Sequence, residues 1–212
     1  MSEWSASHRY ELAPAPGGVG LVQDFLNTVR IGEYGPDLLA DTALAREWST
    51  RAVQTWSALR GVRAEAPSLN DADLTKLRAL RDTIAALVRG DAVDGSRMVT
   101  VSASFALSDA GEVRLEPAGS GWRWLASLLW GEILLSQQEG TWRRIKQCHK
   151  HGCDTTFYDR SKNNSGVWHN VKTCGNAENL RASRARRRDR ERTAAGGLSP
   201  APAAGAAKRG PS

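Results

Sequence analysis

Cysteine is scarce in this chain, with three residues in 212, and an odd number cannot pair fully within one molecule. No apolar signal segment opens the sequence, so the disulfide framework of an exported protein is not expected. No run of 18 apolar residues occurs, which argues against a helical membrane span. Also missing are a Gly-rich phosphate loop, paired catalytic carboxylates at a recognisable spacing and a nucleophile motif, so an enzyme is not expected. What remains is a chain long enough for one good core and a small satellite module, with a cytoplasmic, nucleoid-associated location expected.

The three cysteines all fall between Cys148 and Cys174. The run is Cys148, four residues, Cys153, fifteen residues, His169, four residues, Cys174. Two close donor pairs separated by a loop are what a tetrahedral Zn²⁺ needs, each pair coming from one tight turn. A site of three thiolates and one imidazole has no open position, so its role is structural: it folds a segment with few apolar residues of its own. His149 and His151 lie inside the first pair, where the four-residue gap to Cys153 favours leaving them exposed and unliganded.

Around these ligands stand Phe157-Tyr158-Asp159-Arg160-Ser161, Trp168-His169 and Cys174-Gly175-Asn176. Over about residues 142–190 the pattern closely resembles the CGNR zinc-finger family. The resemblance implies an N-terminal ABATE domain ahead of the finger and a role among stress-related bacterial transcription regulators. Asp24-Phe25-Leu26-Asn27-Thr28-Val29 carries it more faintly into the first part of the chain. Three positions depart from the family. His169 stands where the third ligand is usually Cys, Ala177 where the fourth letter of the motif is Arg, and residues 162–167 are not arginine-rich. Histidine keeps a ligand, whereas the missing arginines remove nucleic-acid contacts that the resemblance would supply.

Charge is divided unevenly along the chain. Residues 1–140 hold 13 Lys/Arg against 18 Asp/Glu, and residues 141–192 hold 14 against 5. An acidic domain joined to a compact basic one suggests that the basic part faces a polyanion. A merely solvated surface would mix the signs, and this segment mixes them poorly.

The expected fold class is α+β. A mainly helical N-terminal domain with a β-hairpin precedes a small, treble-knuckle-like zinc module and a basic helix. Residues 1–19 read as irregular, 20–140 as the α+β domain, 141–192 as the finger with its helix, and 193–212 as a disordered tail. Helical spacing recurs over Leu21–Val29, Asp41–Leu59 (Leu44, Trp48, Val53, Trp56 and Leu59 inward) and Leu77–Val88, with Gly90 as a C-cap. Alternation over Val99–Leu107 and at Val113 and Leu115 predicts a hairpin with one buried face. Trp122–Gln138 is apolar almost all round and reads as a central helix. After Cys174, Asn176 is the expected cap of a last helix whose apolar face, Ala177 and Leu180, lasts one turn.

Duplex DNA is the expected partner, with RNA using the same charges. Seven arginines over residues 181–192 cannot share one face, so phosphate contact is expected rather than base reading by the whole run. Arg181, Arg184 and Arg188 align at i, i+3, i+7. Lys162, Asn163 and Asn164 form a second candidate contact, with Asn able to read adenine but equally at home in a turn. Asp24, Asn27 and Thr28 share a helical face; they line either a pocket for a small-molecule effector or a set of helix–helix hydrogen bonds. Asp159 and Arg160 are expected to pair with each other or with the basic helix. A homodimer on a repeated site would add sequence preference. The rival readings are an RNA-binding module, an enzyme with a structural finger, and a protein-interaction module.

Overall fold

The computed structural model describes residues 4–30, 35–92 and 100–196. In chain order the described residues form α1 (Ser5–His8), α2 (Val19–Leu26), α3 (Thr42–Arg60), α4 (Asp71–Arg89), β1 (Ala103–Leu107), β2 (Val113–Pro117), α5 (Gly121–Gln138), β3 (Ile145–Gln147), β4 (Thr156–Tyr158) and α6 (Asn176–Gly196). The class is α+β, mainly helical, with two antiparallel hairpins, β1–β2 and β3–β4. No helix among the described residues is long and apolar enough to cross a membrane.

The long helices begin and end where their sequences dictate. The Asp41 carboxylate accepts from Leu44 N at 2.9 Å to open α3, and Asn70 and Asp73 form a reciprocal capping box at α4. Gly61 and Gly90 close them in the left-handed conformation, which glycine adopts without a Cβ penalty. The inward face of α3 is Ala45, Trp48, Ala52, Val53 and Trp56; Leu59, expected inside, is largely exposed.

All eight residues of α2 are buried, and α1, α3, α4, α5 and β4 pack around it. This helix stops at Leu26, short of the expected Val29, because Asn27 and Thr28 turn their side chains to partners outside it. Nor is the segment before it irregular throughout. Trp4, Ala6, Tyr10 and Ala15 are core residues, and Ser7 of α1 donates its N–H to Asp24 at 2.7 Å. The central helix is α5, as its apolar circumference suggests, yet it also buries Glu132. That carboxylate accepts from Trp56 Nε1 at 2.6 Å and from both the Nε and Nη2 of Arg60.

The first hairpin forms where alternation places it but does not bury its apolar face. In register, Phe105 faces Leu115 and Leu107 faces Val113. Leu115 packs towards Gly131 of α5, while Phe105, Leu107 and Val113 are 77 %, 73 % and 70 % exposed. Of the two strands it is β2 that packs on α5, through Leu115, so the side of the stripe carried by β1 stays open. Val99 of the expected strand lies outside the described residues. At the other end of the chain α6 runs to Gly196, four residues into the stretch expected to be disordered; residues 197–212 lie outside the described ones.

Candidate metal centre and basic helix

The β3–β4 hairpin presents the first ligand pair. Cys148 follows β3 directly, and its N–H donates to Thr155 O at 2.9 Å, just before β4 begins. Between them Cys153 N donates to Lys150 O, and Gly152 takes φ +75°, a tight turn that a side chain would strain. The second pair comes from the entry to α6. There the chain makes a π turn, Val171–Gly175, that runs straight into the helix. Asn170 caps it, its Oδ1 accepting from Lys172 N at 2.9 Å and Thr173 N at 3.2 Å, and its carbonyl accepting from Cys174 N. The cap is therefore Asn170, not Asn176; the π turn moves the helix start back by five residues and so delivers Cys174.

Cys148, Cys153, His169 and Cys174 bring one ligand atom each to within 4.8 Å of one another. A zinc-sized ion, at about 2.3 Å from sulfur and 2.0 Å from nitrogen in a tetrahedron, sets an S···N edge of about 3.5 Å. His169 Nδ1 lies 3.5 Å from both Cys153 Sγ and Cys174 Sγ, so the residues fit such an ion and Nδ1 is the nitrogen turned to it. His149 and His151 are exposed and outside the group, with His149 edge-on to Trp168. Three thiols this close cannot share protons evenly. The Cys148 thiol hydrogen-bonds to Cys153, and His169 and Thr155 add to it, holding Cys153 far down at about 3; the same contact pushes Cys148 up.

Below the metal group a second cluster fixes the loop between the ligand pairs. Asp159 accepts from Lys146 Nζ at 2.7 Å, Ser161 N at 2.8 Å and Gly166 N at 2.7 Å. Burial pushes its pKa up, but these donors outweigh it and hold the carboxyl below the ordinary carboxylate range. Lys146 also donates to the carbonyls of Asn164 and Gly166, and Arg144 to those of Asp159 and Ser161. Asp159 thus pairs with Lys146 rather than Arg160, whose guanidinium reaches Pro14 O and the Tyr158 ring.

Residues 144–187 match the CGNR zinc finger family. No curated protein matches the chain. The matched segment is tied to the helical domain, not merely appended to it. Asn27 Nδ2 donates to Thr156 O at 2.8 Å, and Asn27 Oδ1 accepts from Thr156 N at 2.9 Å. Ile145 belongs to the main core and Tyr158 packs on it, while the three cysteines and Trp168 form a cluster of their own. The expectation of two separate cores therefore holds for the metal cluster and fails for the hairpin that carries it.

Of the pocket and the hydrogen-bonding role open to Asp24, Asn27 and Thr28, the three residues fill the second. All three are fully buried and engaged: Asp24 with Ser7 N and Trp48 Nε1, Asn27 with Thr156, Thr28 with Phe25 O and Arg81. A cavity of about 550 Å³ opens instead between β2, α3 and α5, beside Trp56, Arg60, Trp124 and Glu132. Lys162 and Asn163 are exposed on the finger's loop. Asn164 takes φ +51° and donates to Arg143 O, so it serves the turn.

On α6, Arg181, Arg184 and Arg188 are exposed, as are the other arginines. Glu178 receives His151 N–H at 3.2 Å and lies 3.7 Å from Arg181, fastening the first turn of the helix to the first knuckle. This clasp is not legible in the sequence, because the partner is a backbone group 27 residues away.

Proposed function

We propose that the finger binds zinc and that α6, held at its root by the metal, docks on duplex DNA through its phosphates. The observation that carries this is α6 itself: 21 residues, with seven exposed arginines against three acidic residues. An isolated helix polar all round has no packing to hold it. Here the π turn and the Glu178 clasp start it, and a polyanion would complete it. At 1.5 Å per residue it spans about 31 Å, and its diameter suits the roughly 12 Å major groove. Arg192 extends the stripe of Arg181, Arg184 and Arg188 by one more turn. The helical domain, with its cavity at Trp56 and Trp124, would serve as the regulatory part of a transcription regulator.

Binding to random-sequence duplex across salt tests this. If Arg181, Arg184 and Arg188 each touch a phosphate, changing all three to Ala flattens the log–log salt slope by about three units, at ~0.9 per contact. Equal slopes for the two proteins overturn it. Competition with RNA of the same length separates the RNA reading: preferred binding to RNA replaces duplex DNA as the partner.

A further inference from the structure

Among the described residues, β1 has an edge that no other strand covers, and it suits one partner above others. In the β1–β2 hairpin the turn is Ser108-Asp109-Ala110-Gly111, with Gly111 at φ +79° and Ser108 N donating to Glu112 O. Antiparallel ladders alternate hydrogen-bonded and non-bonded pairs. Counting back from Ser108–Glu112, the bonded pairs are Ala106–Arg114 and Ser104–Glu116. The N–H and C=O of Ala103, Phe105 and Leu107 therefore point away from β2. Among the described residues β1 has no other strand beside it. Its sequence, ASFAL, contains no charge and no proline, the usual guards of an exposed edge. Its large apolar side chains, Phe105 and Leu107, are exposed.

We propose that this edge pairs with β1 of a second copy of the chain, antiparallel about a two-fold axis at Phe105, to make one four-stranded sheet. That register uses every outward main-chain group of the strand: Phe105 bonds Phe105 of the copy, and Ala103 bonds Leu107 in both directions. It is also complementary in charge. On the opposite face each row across the sheet runs Glu116, Ser104, then Ala106 and Arg114 of the copy, with opposite signs at its ends. Sliding the register by two residues, to pair Ser104 with Ser104, would put Glu116 at both ends of one row. The two exposed stripes of Phe105, Leu107 and Val113 then form one apolar face. The pairing is independent of any contact made by α6.

Sedimentation of the full chain at 1–100 µM and cysteine cross-linking test it. The wild type is expected to dimerise, and Phe105→Asp, at an exposed position, to keep its circular dichroism while weakening the dimer by about 100-fold through lost burial and like charges at the axis. Phe105→Cys places its thiols on Cα atoms about 5.5 Å apart, within disulfide reach, and should cross-link. Leu107→Cys stands roughly 14 Å from its own copy and should not. A wild type monomeric at 100 µM, a dimer indifferent to Phe105→Asp, or cross-linking as strong at 107 as at 105 would each overturn the proposal.

Discussion

The carboxylate of Asp24 accepts N–H bonds from Ser7 and Trp48 inside the helical domain, yet burial raises its pKa to about 6. A carboxyl whose folded value exceeds its unfolded value holds its proton more tightly when folded. Its favourable contribution is complete below pH ~4 and is lost as pH rises through about 6, a change on the order of 3 kcal/mol. Denaturant unfolding of wild type and Asp24→Asn between pH 4 and 7 checks this. The wild type should lose stability relative to the variant as pH rises, while the variant is less stable throughout, because its amide turns a donor towards Ser7 or Trp48. Taking the difference cancels the metal ligands, which titrate in both proteins. Glu132 is the other buried acid of the helical domain, and Glu132→Gln should cost about 2 kcal/mol by breaking the pair with partly exposed Arg60 and facing Trp56 with an amide. Neither burial was legible in sequence. Periodicity marked Trp48, Trp56 and α5 as core, but a carboxyl enters a core only where donors from distant segments meet it. Asp24 likewise suggested a pocket because a polar face on an apolar helix reads the same whether its partners are ligands or the chain itself.

At the scale of elements, local rules served where local partners decide. Gly90 closes α4 as its place after the periodic run suggests, and Cys148, Cys153, His169 and Cys174 meet in one group as their spacing suggests. They failed at the entry to α6, where Gly175-Asn176 reads as a cap but the helix is already under way through a π turn begun at Asn170. Asn170→Ala should remove two N–H contacts and cost about 1 kcal/mol, close to a five-fold loss of metal affinity because Cys174 rides on that turn. A chelator competition against wild type measures it; unchanged affinity would mean that the metal alone sets the turn. The β1–β2 hairpin shows the other limit. Alternation fixes which side chains share a face, but whether that face meets a helix depends on which strand packs on α5, and no pattern within ten residues encodes that.

For the whole molecule, the joint between Asn27 and Thr156 decides what metal removal does. Stripping the ion should release the Cys148–Cys153 turn and the segment from Trp168 into α6, while Thr156 N, bonded to Asn27 and backed by Ile145 and Tyr158, stays protected from hydrogen exchange. In Asn27→Ala the buried N–H and C=O of Thr156 lose their partners, and chelation should then expose β4 as well. Loss of protection at Thr156 in the chelated wild type would count against this joint. The acidic and basic halves of the chain, read as a division of labour, thus meet through Asn27 on Thr156, with Ile145 and Tyr158 against the main core and Arg160 on Pro14 O beside that joint. The position of α2 has a bearing on time rather than stability. Its covers α3, α4, α5 and β4 all follow it in the chain, and Thr156 of β4 stands 129 residues after Asn27. A nascent chain must therefore carry an eight-residue helix destined for burial without its final neighbours until Thr156 has been made, and its slowest folding step should be the closure of β4 onto Asn27.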